Sequence, residues 1–184
     1  MEDIKTISGT TEQEIWQTVE ADLRADEDIL SYEAVLLQDG RGINLYIDID
    51  PGGGFEGGYE LTQLSAKVKV DSAFRFAIHD EGFVDEIGKF FGMQDLETGF
   101  ADLDHHIVIK TNHEDTVRTI FADADVRAVF TELENFDFGI HAGDEDADGP
   151  VLELNIDEGI TDADRLRKIY HAFYHVLKGI ETLP

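Results

Sequence analysis

SAFRFAIHDEGFVDEIGKFFGMQDLETGFADLDHHIVIKTN, residues 72–112, is the stretch on which the fold turns. It reads as a strand, an amphipathic turn or two of helix, a loop and a second strand. Phe74, Phe76 and Ile78 share one strand face while Arg75, Ala77 and His79 share the other, following the two-residue period of extended chain. Phe83, Val84, Ile87, Phe90 and Phe91 instead recur at helical spacing, with Gly92 as the stop. Together with Phe100, this stretch holds six of the chain's twelve Phe residues, which marks it as the expected nucleus of the core.

Toward the N-terminus the patterning is of two kinds. Thr11 followed by Glu14 fits a capping box, and Ile15, Trp16, Val19 and Leu23 then predict an amphipathic helix over 11–25, with Trp16 as a core anchor. Residues 29–37 read as a strand, and Asp39-Gly40 as a turn. Ile43, Leu45, Ile47 and Ile49 alternate strictly with Asn44, Tyr46 and Asp48, the pattern of a strand with one buried and one wet face. DPGGGFEGG, residues 50–58, lacks a Gly-Lys-Ser/Thr sequel and a clean Gly-x-Gly-x-x-Gly, and its acids would repel phosphate. It is therefore read as a hairpin connection. Residues 59–70 resume strand character, so a meander of antiparallel strands is expected.

Toward the C-terminus, His105 and His106 are expected to open a strand, pointing to opposite faces and so ill placed to share a metal; either one with Asp102 or Asp104 is the remaining metal option there. Asn112 or His113 is the expected cap of a helix carrying Val117, Ile120 and Phe121 inward, followed by a second helix over 125–134. Phe136, Phe138 and Ile140 alternate as a strand, with Val151, Leu152, Leu154 and Ile156 as its hairpin partner. Asp162 is the expected cap of the last helix, whose inward stripe is Leu166, Ile169, Tyr170, Phe173, Val176, Leu177 and Ile180.

Part of the central stretch carries a resemblance. Residues 89–121 resemble a segment of bacterial proteins of unknown function, with the pattern Phe-Gly-x-Gln-Asp, then Gly-Asp-x-x-Phe-Asp, then an apolar strand ending Lys-Ser or Lys-Thr. Gly92, Gln94, Asp95, Gly99, Asp104, Lys110 and Thr111 match it, whereas Phe100 replaces the first loop Asp and Leu103 the Phe. The resemblance implies a recurring strand, helix and strand unit and brings no activity with it.

The expected fold is α+β: an antiparallel sheet meander with an N-terminal helix, central short helices and a C-terminal helix packed on the sheet. A single domain over 1–184 is expected, with sub-lobes 1–71 and 72–184. At 184 residues such a chain buries roughly 70% of its unfolded surface without a staple. The succession of helix, strands, helix, strands and helix also resembles the folds of secretion-chaperone-like proteins, which implies a dimeric binder of other polypeptides.

Charge narrows the partners. Against 14 Lys and Arg stand 41 Asp and Glu, a net of -27, and such a field repels phosphate backbones and anionic lipid. Nucleic acid and membrane are therefore not expected partners. Without cysteine, a signal-like N-terminus or an apolar run of membrane-spanning length, a soluble cytoplasmic protein is the default expectation. The carboxylate excess would also suit a salt-rich cytoplasm.

Catalytic signatures are missing: there is no cysteine nucleophile, no Gly-x-Ser-x-Gly, and 41 carboxylates make any one acid pair arbitrary. The expectation is a non-enzymatic chain with no catalytic residue and no cofactor. Two clusters remain. Asp144, Asp146, Asp148 and Gly149 reproduce the opening of a calcium loop, although its twelfth position is Asn155 rather than Glu. Arg167, Lys168, His171, His175 and Lys178 form a basic ridge on the outer face of the last helix, and the His171/His175 spacing permits a metal pair, but the adjacent Glu of the zinc-protease motif is Ala172 here. Three readings follow: a protein-interaction module, binding another protein or a second copy through the ridge; a small-molecule-binding or hydrolytic domain with a cavity under the C-terminal helix; and a weak calcium binder.

Overall fold

The computed structural model describes residues 4–25, 29–53, 57–68, 74–80, 93–141 and 149–182. The first helix, α1 (Glu12–Ala25), starts at the expected capping box: Thr11 Oγ1 accepts from Glu14 N at 3.3 Å, and Glu14 Oε2 accepts from Thr11 N at 3.2 Å. Before it lies β1 (Lys5–Gly9), a strand that the sequence did not betray. It pairs in parallel with β2 (Ser31–Gln38), so α1 is the crossover between two parallel neighbours. From β2 the chain runs through β3 (Arg41–Asp50) and β4 (Tyr59–Lys67) as the expected antiparallel meander. Asp39 and Gly40, at φ 49° and 77°, make the tight left-handed turn that matches the twist of the β2–β3 hairpin.

The second half extends the same sheet. It comprises β5 (Phe76–Asp80), β6 (Gln94–Asp95), β7 (Ile107–Thr111), β8 (Phe136–His141) and β9 (Val151–Ile156), and the strand order is β1-β2-β3-β4-β9-β8-β5-β7-β6. The fold is thus α+β, with a mixed, mostly antiparallel sheet of nine strands among the described residues. Short helices α2 (Ala101–Asp104), α3 (Glu114–Ile120) and α4 (Ala124–Thr131) precede β8, and α5 (Ala163–Glu181) closes the chain. No helix among the described residues is long and apolar enough to cross a membrane.

Register places the apolar residues on one sheet face. Leu45, Leu64, Leu154, Phe138, Ile78 and Ile109 lie side by side across six strands, and α1 and α5 cover that face. The aromatic centre is broader than the 72–112 stretch. Phe138 stacks on Phe130 at 4.9 Å between centroids and meets Phe76 at 5.5 Å and Phe173 at 5.8 Å, so α4, β5, β8 and α5 share it. Phe83, Phe90, Phe91 and their expected helix lie outside the described residues.

On the opposite face the strands align polar side chains. Glu33, Tyr46, Gln63, Asn155, Asp137 and His79 are register neighbours across β2, β3, β4, β9, β8 and β5. Gln63 Nε2 donates to Asn155 Oδ1 at 2.7 Å, and Asn155 Nδ2 donates to Glu153 Oε1 at 2.9 Å. His79, on this face as its alternation with Ile78 predicts, is buried at 7% exposure.

The segment carrying the bacterial resemblance acquires a physical account. Gln94 and Asp95 form β6 and are the register partners of Thr111 and Lys110 on β7. Asp104 accepts from Thr98 N, Thr98 Oγ1 and Gly99 N at 2.9, 2.6 and 2.8 Å, fixing the loop between the two strands. The pattern therefore describes a strand pair and the carboxylate that ties its connection. Two details correct the sequence reading. His105 and His106 lie in the turn after α2, because the chain needs those two residues to leave the helix before β7 starts at Ile107. His113 occupies the N-cap position of α3 without a side-chain cap, its Nδ1 lying 2.8 Å from Thr116 Oγ1, while Asn112 Oδ1 accepts from Arg75 N.

Candidate functional site

The outer face of α5 is the candidate site, and the inner face explains its placement. Asp162 caps the helix, its side chain accepting from Arg165 N at 2.7 Å. Leu166, Ile169, Tyr170, Phe173, Val176, Leu177 and Ile180 are all buried, as their spacing predicted. Both ends are tied down. Arg165 Nη2 donates to Glu158 Oε2 at 2.8 Å, and Arg41 Nε donates to Glu181 Oε2 at 2.6 Å. With one stripe fixed against the sheet, Arg167, Lys168, His171 and Lys178 are left exposed and His175 partly buried.

Helix α1 adds a carboxylate to this face. Trp16 meets Tyr170 edge-to-face at 5.6 Å, which sets the register of α1 against α5. Glu12 lies one turn before Trp16 on the same side of α1, and so faces the residues flanking Tyr170. Its Oε1 accepts from Arg167 Nε at 2.8 Å, and its Oε2 lies 2.7 Å from His171 Nδ1. Partial burial pushes the Glu12 carboxyl up, and the hydrogen bonds from Arg167 and His171 outweigh it, leaving the group below its ordinary range.

Two grooves flank the ridge and divide its residues between them. One, of about 570 Å³, runs between α4 and α5, with Ala128 and Val129 as its apolar floor and Arg167, Lys168 and His171 along one wall; Asp125, Glu132 and Asp164 are also on its lining. The other, of about 410 Å³, is lined by Gln38, His171, Tyr174, His175 and Lys178. Glu12 belongs to both. Both grooves lie on the outer side of α5. Where the small-molecule reading placed a cavity under the helix, the described inward residues of α5 are packed core, with Tyr170 OH donating to Gln38 Oε1 at 2.8 Å. A third groove, of about 670 Å³, lies at the β3–β4 end of the sheet beside Tyr59 and Asp157.

The structure brings together the five ridge residues of the sequence reading. It gives the metal options no matching geometry among the described residues, where no group of three His, Asp or Glu side chains could hold an ion. His171 Nδ1 is engaged by Glu12, and Ala172 is buried. Asp102 accepts from Arg127 Nε at 2.8 Å, and Asp104 is spent on its loop. Asp144, Asp146 and Asp148 lie outside the described residues. Asn155, the twelfth position of that calcium pattern, belongs to the side-chain network on the polar face of the sheet. Glu12 is the residue that sequence reasoning missed. An acid in the first turn of a helix is common because it suits the helix dipole, so nothing in the sequence marks this one as a clamp.

Fold and surface together define a class: an α+β chain with helices on the apolar face of a nine-stranded sheet and a cation-bearing outer helix face among the described residues. No protein-family model matches the chain, and none of the curated proteins does. Among solved structures it is similar to the crystal structure of the mycobacterial trehalose monomycolate transport factor A, TtfA, with a TM-score of 0.49 and 8% identity over 91% of this chain and 84% of that one.

Proposed function

We propose that the protein is a non-enzymatic binding module for another polypeptide, with the outer face of α5 as its contact surface. One observation carries this: in a chain of net charge -27, five cationic or protonatable side chains stand on a single helix face, between two grooves. Electrostatic complementarity of that kind guides a partner to one face and fixes its register. Ala128 and Val129 offer an apolar floor beside the charges, which suits a polypeptide better than a fully hydrated anion.

Affinity capture from native lysate at low salt tests the reading, with wild-type protein and the Lys168→Glu/Lys178→Glu variant run in parallel. A polypeptide, or a second copy of the chain, retained by the wild type and lost with the variant supports it. Capture indifferent to the double reversal, or no capture together with a strictly monomeric protein, contradicts it.

A further inference from the structure

Among the described residues, Glu12 is the one carboxylate on the groove that Tyr174, His175 and Lys178 complete. Its two oxygens are divided between the guanidinium of Arg167, Nε at 2.8 Å, and the imidazole of His171, Nδ1 at 2.7 Å. A carboxylate from any acidic polypeptide would be held in the same way. We infer that Arg167 and His171 form a carboxylate seat, that Glu12 fills it in the free protein, and that an acidic segment of a partner displaces Glu12 on docking. This deepens the reading of α5 as the contact surface and rests on it.

Three features support an exchangeable seat rather than a fixed strut. Arg167 and His171 keep 44% and 59% of their side-chain surface in water, and pairs so exposed hold weakly, so the carboxylates can trade places at low cost. Lys168 and Lys178 make no ion pair among the described residues, so a segment with several acids gains contacts that Glu12 alone does not make. Finally, Arg167 and Lys178 are about 16 Å apart along the helix axis, a span that about five residues of extended chain would cover. A longer polyanion, whether nucleic acid or an anionic membrane, would overrun the ridge onto the acidic exterior and be repelled.

The test is fluorescence anisotropy with a fluorescein-labelled peptide of six alternating Glu and Leu residues, titrated at physiological salt with wild type, Glu12→Gln and Lys168→Glu/Lys178→Glu. Circular dichroism and melting temperature confirm that each variant is folded. Glu12→Gln is expected to bind about fivefold tighter than wild type, the fold-change of one exposed ion pair, and the double reversal to abolish binding. Unchanged or weaker binding by folded Glu12→Gln, with binding still lost on the double reversal, overturns the displaced seat but leaves the contact surface standing. Binding unaffected by the double reversal, or absent from all three proteins, overturns both.

Discussion

Oε1 of Glu12, in the first turn of α1, lies 2.8 Å from Nε of Arg167 on α5, 155 residues further along the chain. The contact links the crossover helix between β1 and β2 to the helix that closes the chain. Because Arg167 is 44% exposed, Glu12→Ala should lower stability by only about 0.5–1 kcal/mol. The Glu12 carboxyl sits below its ordinary value of 4.5 despite its partial burial, through the hydrogen bonds from Arg167 and His171. A depressed folded-state value stabilises above the unfolded value and ceases to as pH falls through the folded one. Urea melts of wild type and Glu12→Ala should therefore differ at pH 7, and the difference should shrink as pH falls below the ordinary value.

Asp104 ties the connection between β6 and β7 through Thr98 N, Thr98 Oγ1 and Gly99 N. Partial burial pushes its carboxyl up, and those hydrogen bonds more than offset it, leaving the group below the ordinary 3.8. Asp104→Ala should cost about 1–2 kcal/mol, the size of a lost capping carboxylate. By the same sign argument, the difference from wild type shrinks as pH falls below the ordinary value. Amide exchange at Gly99, read by NMR, should rise in the variant at neutral pH.

Tyr170 OH donates to Gln38 Oε1 at 2.8 Å, and Gln38 is only 8% exposed. Tyr170→Phe leaves that oxygen without its donor, a loss of about 1–2 kcal/mol. Adding Gln38→Leu removes the orphaned acceptor and should recover part of the loss. A thermal melt of both variants checks the order.

At Gly139 on β8, a Cβ would stand 2.5 Å from the carbonyl oxygen of Phe76 and 3.0 Å from Cα of Ala77, both backbone atoms of the neighbouring β5 region. Gly139→Ala therefore cannot be absorbed by a side-chain rotation. It should destabilise by about 1–3 kcal/mol, seen as a lower urea midpoint at unchanged slope.

What the sequence revealed follows from how strongly each element repeats. Helix α5 and strand β3 were legible because their apolar residues keep one period over two turns or more, and the basic ridge was the complement of the α5 stripe. Strand β1 was not, since KTISG buries only Ile7 and five residues with one buried position show no alternation. His105 and His106 were assigned to a strand because a four-residue helix, α2, is too short to announce itself by periodicity. One of the three readings placed a cavity under α5, because sequence periodicity marks which side of a helix is apolar and not whether it is filled. Glu12 was hidden for a different reason: its role depends on packing between two helices at opposite ends of the chain, set by Trp16 and Tyr170.

Lysine acetylation mapped by mass spectrometry, on the free protein and on the protein bound to its captured partner, reads directly whether the outer face of α5 is covered. Lys168 and Lys178 should lose reactivity severalfold in the complex, while Lys5 on β1, which pairs with Asp22 and lines neither groove of the ridge, keeps its own. Undiminished labelling of Lys168 and Lys178 in a complex that protects other sites would place the contact surface elsewhere than on α5.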